Sequence, residues 1–387
     1  MQHYDVIIVG SGMVGLTLAN LLQKNQFSVC IIEASPQQAV TETLTARVSA
    51  IHPHSRRLLQ YLNCWEEIPE NFRAIVKAMH VWDHTHNAID FDNEGDPLAW
   101  IVNNHAMVEA LREKYTGDYI CPDVPQYFSN NTLILQSGKK LSAELIVGAD
   151  GAHSWVRKQM CIAVNTKSYD QKSIIAVIAS EKPHENIAYQ HFLKTGPVAL
   201  LPLSHAYQTA LVWSADTAYS DNLMKLSEEK FSYELTRALA YRLGELRSIS
   251  ERSQFTLTMR HAKEYGENCF VLVGDAAHTI HPLAGLGVNL GLMDVACLSQ
   301  VLCDARDQNK TLCDYTVLRR YTRWRKAENT PVLLAMRGLQ TFFALDWNLT
   351  NVLRGLGMAS IDHFSFIKKY LIRCATGSEI ELPLFLQ

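Results

Sequence analysis

The sequence predicts an α/β protein in which a nucleotide-binding parallel sheet carries an inserted antiparallel sheet and is followed by C-terminal helices. Three observations predict this class: short apolar runs that end at a glycine or an acid, β-rich segments with polar alternation between them, and helical apolar spacing after residue 273. Short apolar runs are typical of strands buried on both faces, whereas alternation is typical of a sheet with one solvated face. The expected fold is therefore Rossmann-like with an insertion.

The first βαβ unit is expected at the N-terminus. The apolar run at residues 6–9 stops at Gly10. A helix should follow from Val14 to about Gln23, and a second buried strand, residues 27–32, ends at Glu33. Together these segments have the length of about 30 residues that is typical of a βαβ unit. The first third of the chain is therefore predicted to bind a dinucleotide.

The remaining segments predict two intertwined domains. Residues 81–91 and 173–213 are β-rich and predict an antiparallel sheet that roofs the substrate. Between them, a predicted helix at 104–114 and an apolar run at 141–147 return the chain to the nucleotide-binding domain. The predicted boundaries are 1–72, 101–165 and 260–330 for the nucleotide-binding domain, 73–100 and 166–259 for the substrate domain, and 331–387 for a C-terminal helical segment.

Composition and charge narrow the class of protein. The formal net charge of −3 gives no basic excess for nucleic acid. The nine cysteines are scattered without a C-x-x-C pair or a zinc-ligand cluster, so reduced thiols and no metal site are expected. No charged-then-apolar leader precedes the first strand, and no run of about 18 consecutive apolar residues occurs. We therefore expect a cytoplasmic protein without a spanning helix, with peripheral contact at the inner membrane left open.

The loop after the first strand reads Gly10-Ser11-Gly12-Met13-Val14-Gly15, a G-x-G-x-x-G between a predicted strand and a predicted helix. The first glycine allows the tight turn, the second lets the backbone approach a pyrophosphate, and the third allows close helix–strand packing. Glu33 stands where a carboxylate can accept hydrogen bonds from the hydroxyls of an adenosine ribose. FAD and NAD both carry this ADP half, so the unit alone does not separate them.

Two further motifs favour FAD. Each is a buried strand that ends in a small residue and an aspartate: Gly148-Ala149-Asp150-Gly151 and Gly274-Asp275-Ala276-Ala277-His278. An aspartate at such a position can accept a ribityl hydroxyl. The glycine-rich turn after the third motif, at 285–291, and the helix start that follows offer backbone N–H groups to a flavin ring.

These residues resemble the FAD-dependent aromatic hydroxylases related to para-hydroxybenzoate hydroxylase, and within them the ubiquinone-biosynthesis branch (the UbiH, UbiF and UbiI hydroxylases). The likeness rests on residues 47–51, 55–65, 148–157 and, above all, 273–294, and it covers nearly the whole chain. It implies an oxidoreductase, a flavoprotein monooxygenase that uses NADH or NADPH and O2 to hydroxylate a polyprenylated phenol or benzoquinol of ubiquinone biosynthesis. The FAD contacts would then fall on the Gly10–Gly15 loop, Glu33, Arg47, Asn104, Gly274, Asp275, Gly287, Val288 and Asn289. Asp150 and Gly151 match a motif of the family that serves both FAD and NAD(P)H.

The flavin-side loop supplies the candidate catalytic residues His281, Pro282 and Leu286. The branch usually has glutamine where Leu286 stands, so an altered contact is expected on the flavin side. His278 and His281 are either general bases or packed groups beside a helix start. Arg47 either anchors flavin, pairs with a core carboxylate or is solvated.

Other readings stay open from the sequence. The chain could be a hydroxylase of another aromatic compound, a reductase of prenyl chains, or a FAD-bound scaffold subunit of a ubiquinone-biosynthesis complex. The basic stretch Arg319, Arg320, Arg323, Arg325 and Lys326 predicts a solvated helix face or a patch for anionic lipid or a partner. We hypothesise that the apolar residues of 361–373 contact a partner or the membrane.

Overall fold

The computed structural model describes residues 2–36, 46–83, 88–129, 132–279, 286–344 and 382–386. Its strands, numbered in chain order, are β1 (Gln2–Val9), β2 (Val29–Ile32), β3 (Val48–Ile51), β4 (Arg73–Val76), β5 (Ala78–Asp83), β6 (Ala88–Asp92), β7 (Ala99–Asn103), β8 (Asp118–Ile120), β9 (Pro125–Ser129), β10 (Thr132–Leu135), β11 (Lys140–Gly148), β12 (Val164–Ser180), β13 (Ile187–Leu193), β14 (Gly196–Pro202), β15 (Gln208–Asp216), β16 (Leu246–Ser248), β17 (Ser253–Ala262), β18 (Gly266–Glu267), β19 (Phe270–Leu272) and β20 (His278–Thr279).

Its α-helices are α1 (Met13–Lys24), α2 (Pro53–Tyr61), α3 (Asn104–Lys114), α4 (Trp155–Gln159), α5 (Thr217–Lys225), α6 (Glu228–Ala238), α7 (Leu286–Asp307) and α8 (Tyr315–Ala344). Single turns of 3-10 helix lie at Glu70–Phe72, Gly274–Ala276 and Leu384–Leu386. The helices predicted at 14–23 and 104–114 are α1 and α3, and both predictions are confirmed.

A largely parallel sheet forms the nucleotide-binding unit. Its strands lie in the order β18-β19-β11-β1-β2-β8, and β10 and β9 extend it from β11. β1 pairs in parallel with β2 and with β11, and β11 pairs in parallel with β19. Ile7, Ile31, Val147 and Leu272, one from each of the four predicted buried strands, are fully buried. The predicted fold class is confirmed, and distant segments of the chain meet in one sheet.

A second sheet lies beside the first, in the order β20-β17-β12-β15-β14-β13-β5-β6. Most neighbours pair antiparallel, as predicted, but β5 pairs with β13 in parallel. The expectation of a purely antiparallel sheet was therefore wrong at this pair. Polar alternation reports which face of a strand is buried and carries no information on the direction of a partner that is distant in sequence.

The two faces of this second sheet have different neighbours. Helices α5 and α6 cover one face, where Trp213 packs with Phe231 and Leu235. The opposite face packs, through Ala188 and Leu201, against the three-stranded sheet β3-β7-β4. That opposite face is the roof face below.

The helices α7 and α8 lie against the parallel sheet. Among the described residues, α7 is the helix that is long and apolar enough to cross a membrane, and most of it is buried inside the protein. Burial in the core accounts for its composition. In α8, Arg319 and Arg323 are exposed but Arg325 is fully buried, so the basic stretch is not one solvated face. The hypothesised contact surface at 361–373 lies outside the described residues, and the domain boundaries stay a prediction.

Candidate active site

The strands of the parallel sheet end in one row at its carboxyl edge. Val9 lies opposite Ile32 and Gly148, and Gly148 lies opposite Leu272. In open α/β sheets, ligands bind outside this edge. The row is followed directly by four of the predicted contact segments: Gly10–Gly15, Glu33, Asp150–Gly151 and Gly274–Asp275.

Packing within the chain requires glycine at two positions of the first loop. Gly10 has φ +104°, and a Cβ there would stand 2.5 Å from the backbone oxygen of Ala149. A Cβ on Gly15 would stand 2.1 Å from the backbone oxygen of Gly10. At Gly12, by contrast, a Cβ would meet nothing within 4 Å. Gly12 therefore borders open space that a ligand can approach.

The helix α1 begins at this open loop. It has neither a capping side chain nor an acidic residue in its first turn, and Met13 and Val14 are half-buried there. A helix start leaves backbone N–H groups without partners and carries a partial positive charge. The loop is thus suited to bind a pyrophosphate.

Glu33 is tied to the same loop. Its Oε2 accepts hydrogen bonds from the backbone N and from Oγ of Ser11, at 2.7 and 2.8 Å. Since the Ser11 hydroxyl proton points to Glu33, the hydroxyl of Tyr119 donates to Ser11 Oγ, at 2.9 Å. Glu33 thus braces the loop beside the place predicted for the ribose.

In the second motif, Asp150 caps α4. Its Oδ2 accepts from the backbone N of Trp155, at 2.6 Å, and of Val156, at 3.2 Å. The buried guanidinium of Arg157 donates to the backbone oxygens of Ala152 and Ala276, both at 2.7 Å. Arg157 therefore joins the second motif to the third. Gly151, with φ +75°, lies in the turn between β11 and α4.

In the third motif, the side chain of Asp275 is exposed at the carboxyl edge of the sheet. Desolvation by the surrounding protein raises the pKa of its carboxyl, while the charges of His278 and Arg260 oppose that rise. Gly274 and Gly291 allow close packing behind it: their Cβ atoms would stand 3.2 and 2.7 Å from Val14 Cγ2. The turn that presents Asp275 is thus pressed between α1 and α7.

Five predicted contacts remain, and three of them, Gly287, Val288 and Asn289, lie in the first turn of α7. Arg47 is exposed, and its backbone oxygen accepts from the backbone N of Asn104 at 3.1 Å. The Asn289 side chain accepts from the backbone N of His52, at 2.9 Å, and donates to the backbone oxygen of Ala50, at 2.7 Å. Because the side-chain amide of Asn289 is engaged in these two bonds, Asn289 would contact a ligand through its backbone in the first turn of α7. Gly287 and Val288 lie in the same turn.

Of the three candidate catalytic residues, Leu286 belongs to the part of the chain that the structure describes. Leu286 is the first residue of α7 and is buried. His281 and Pro282 lie outside the described residues, so their role stays a prediction. His278 is 1% exposed and its Nε2 donates to Asp294, which makes it a packed group and not an accessible base.

Two groups at the site have buried oxygens that a bound cofactor can satisfy. Asp150 Oδ1 and Asn104 Oδ1 have no hydrogen-bond partner among the described residues. Buried polar atoms are rarely left unpaired in native proteins. Both atoms belong to predicted FAD contacts, so the donor and acceptor pattern of the chain fits a dinucleotide with a hydroxyl-rich linker. No cluster of three metal-ligating side chains occurs in the described part of the chain.

Comparison with known families defines the class of protein. The model of the FAD binding domain family matches residues 129–330, and that of the FAD dependent oxidoreductase family matches residues 5–125. Fold and site thus define a FAD-binding oxidoreductase of the flavin monooxygenase class. The solved structure of p-nitrophenol 4-monooxygenase PnpA from Pseudomonas putida shares this fold, with a TM-score of 0.78 at 15% identity over 97% of this chain and 99% of that one.

Similar proteins narrow the class to a family. The 3-demethoxyubiquinol 3-hydroxylase of Escherichia coli is 32% identical over 97% of this chain and 99% of its own length. The ubiquinone biosynthesis monooxygenase COQ6 of Drosophila melanogaster is 31% identical over 97% of this chain and 90% of its own length. The chain belongs to the family of FAD-dependent ubiquinone-biosynthesis monooxygenases, as the sequence motifs predicted.

Replacing Glu33 by Ala is expected to weaken FAD binding by about 1.5 to 3 kcal/mol, because it removes a charged acceptor for the ribose hydroxyls and the brace on Ser11. The flavin spectrum should hardly change, since the ribose is remote from the ring. Titration of the apoprotein with FAD measures the effect, and Glu267→Ala, at an exposed acid on β18, is the control. Unaltered affinity in the Glu33 variant would assign this residue an exposed structural role.

The residues that sequence reasoning missed lie one layer behind the contacts. They are Arg157, Asp294, Arg325 and Asn329, all buried. The spacing of Tyr321, Arg325 and Asn329 by four residues puts these polar side chains on one helix face, which was the available signal.

Proposed function

We propose that the protein is an NAD(P)H-consuming hydroxylase that adds one oxygen atom to the ring of a polyprenylated phenol or benzoquinol in ubiquinone biosynthesis. The names of its relatives support the pathway. The chemistry of the roof face, which carries the proposal, supports a neutral and apolar substrate.

The roof face carries half-buried apolar side chains, and we propose that this face of the sheet is the one toward the flavin. Ile175 lies opposite Val212, and Val212 lies opposite Ala199, so the three side chains form one row across β12, β15 and β14. All three are partly open to solvent. Leu201, two residues along from Ala199, lies in the cluster that holds Ala50, whose backbone oxygen binds Asn289 at the start of α7.

The row and its neighbour carry no charge. The neighbouring row consists of Val177, Ala210 and Leu201. On the next strand, β13, the residue opposite Ala199 is Gln190, whose side chain is a neutral amide. A carboxylate held against these side chains would lose its hydration without gaining a partner, which is costly. A neutral phenol with a hydrocarbon tail gains by burying apolar surface there.

FAD, when bound, supplies the redox chemistry between NAD(P)H and O2. The chain itself orients the cofactor along the carboxyl edge and holds the aromatic ring of the substrate against the roof face. It also excludes water from the space between substrate and cofactor. His281 and Pro282 are proposed, on the family resemblance, to lie on the flavin side of this space. Contact with a biosynthetic complex or the membrane is proposed on the lipid character of the substrate.

The test measures NADH and NADPH oxidation by the purified holoprotein with a short-chain prenylphenol, and with 4-hydroxybenzoate as the charged comparison. The prenylphenol is expected to stimulate oxidation and to yield a product heavier by one oxygen atom. If 4-hydroxybenzoate stimulated NADH or NADPH oxidation and the prenylphenol did not, the substrate would be a soluble aromatic acid and not a prenylated phenol. Flavin that NADH and NADPH both fail to reduce would favour the scaffold role.

Replacing Val212 by Trp is expected to lower kcat/KM for the prenylphenol by roughly tenfold or more, because the larger side chain takes the space of the ring. FAD binding should be unchanged. Ile75→Trp, at an exposed position of β4, is the control. Steady-state kinetics and FAD occupancy of both variants check this. Wild-type kinetics in the Val212 variant would show that the aromatic ring of the substrate does not bind at this row of side chains.

A further inference from the structure

A fully buried ionic cluster lies directly behind the turn that presents Asp275. We call it the Asp294 network, and it consists of His278, Asp294, Arg325 and Asn329. Each of these side chains is at most 1% exposed. Its members come from three elements: the Gly274–Thr279 turn, α7 and α8.

Asp294 is the centre of the network. Its Oδ2 accepts from the backbone N of Gly274, at 2.9 Å, and from Nε2 of His278, at 2.6 Å. Its Oδ1 accepts from Nε of Arg325, at 2.8 Å, and from Nδ2 of Asn329, at 3.2 Å. One carboxylate thus fixes both ends of the turn to α7 and α8.

The charge state of Asp294 follows from these partners. Burial by itself would raise the pKa of its carboxyl, but His278 and Arg325 outweigh burial and lower the pKa to about 2. A carboxylate with four donors stays ionised at neutral pH. Its bonds to Gly274 and His278 are therefore charge-assisted and stronger than neutral ones.

We propose that the Asp294 network is a positioning device for FAD: it fixes the Gly274–Thr279 turn so that the Asp275 carboxylate is correctly placed to bind the cofactor. His278, Asp294 and Arg325 are positioning residues here, because each acts through the turn. The inference rests on FAD binding and not on the identity of the aromatic substrate, so it stands or fails separately from the proposed reaction.

Two observations favour positioning over bulk stability. A buried ion pair adds little stability compared with apolar side chains of the same volume. In addition, the buried Nδ1 of His278 has no hydrogen-bond partner among the described residues. This unpaired atom costs folding free energy that an apolar side chain at the same position would not cost. The network instead provides fixed geometry, since Arg325 also donates from Nη2 to Oδ1 of Asn329 at 2.7 Å and is itself locked.

The experiment compares His278→Leu with His278→Gln. Glutamine can still donate from Nε2 to Asp294, whereas leucine cannot. We expect the FAD dissociation constant to rise by about tenfold or more with leucine and by less than about threefold with glutamine. FAD release on dilution of the purified holoprotein, followed by flavin fluorescence, gives the constant. The visible flavin absorption bands should shift with leucine alone.

Asp294→Asn is the second variant, since it keeps the size of the side chain but sets an amide N–H against Gly274 or Arg325. It is expected to weaken FAD by about tenfold as well, and it replaces His278→Leu if that protein does not fold. The control is Arg320→Gln, which breaks the ion pair between Arg320 on α8 and Asp304 on α7 near the surface. Wild-type FAD affinity and spectrum in folded His278→Leu or Asp294→Asn protein would overturn the proposal, as would a glutamine variant no better than leucine.

Discussion

Gly12→Val protein is expected to fold normally and to purify without FAD. The backbone at Gly12 has φ −68°, which valine adopts without strain, and a Cβ there meets nothing within 4 Å. Its effect on the free energy of unfolding should stay within about 0.5 kcal/mol, as for other surface substitutions. The added side chain instead occupies the space through which the pyrophosphate approaches the start of α1. A clash of about 3 kcal/mol corresponds to a loss of affinity of roughly a hundredfold.

The ratio of absorbance at about 450 nm to absorbance at about 280 nm reports FAD occupancy, because the flavin gives the first band and the aromatic side chains give most of the second. Urea denaturation of the apoprotein reports stability. Gly12→Ala, with one methyl group in place of three carbons, should lie between wild type and valine. Full occupancy in the valine variant would show that the cofactor does not pass over this residue.

Gly15→Ala is expected to have the opposite effect: the variant loses much of its folding stability, although its side chain does not enter the space of the pyrophosphate. The new methyl carbon would stand 2.1 Å from the backbone oxygen of Gly10 and 3.2 Å from Cβ of Ala149. The obstacle is backbone, so α1 must move away from β1. Overpacking of this kind costs about 3 kcal/mol or more, a large share of the roughly 5 to 15 kcal/mol that stabilises a typical domain.

Urea midpoints and soluble yield measure this loss, and the comparison with Gly12→Ala keeps the substitution itself constant. Both variants add one methyl group to the same loop, so any difference between them comes from the surroundings. A Gly15 variant as stable as the Gly12 variant would mean that the close contact between α1 and the loop is absent.

Segments with strong local signals were predictable from the sequence. The helix at 104–114 was found with its predicted bounds, because Asn103 caps it by accepting from the backbone N of His105 and Ala106. The four buried strands and their carboxyl-edge motifs were predictable for a similar reason: continuous apolar runs that end at a glycine or an acid have few other structural explanations.

Features set by long-range partners were not predictable. Arg325 reads as one more cation in a basic helix, since the carboxylate that buries it stands 31 residues earlier on another helix. The parallel pairing of β5 with β13 likewise depends on chain direction, which apolar periodicity does not record. In both cases the deciding interaction is tertiary.

The row of strand ends at the carboxyl edge has a consequence for biosynthesis of the protein. Residue 9 must find residue 148, and residue 148 must find residue 272, so the contact order of this sheet is high. In a chain emerging from the ribosome, residues 146–148 of β11 have no partner strand on the side of β19 until β19 has been synthesised. Because Asp275 follows β19 in the chain, we expect the complete cofactor site to form late in folding, with this edge of β11 open to aggregation until then.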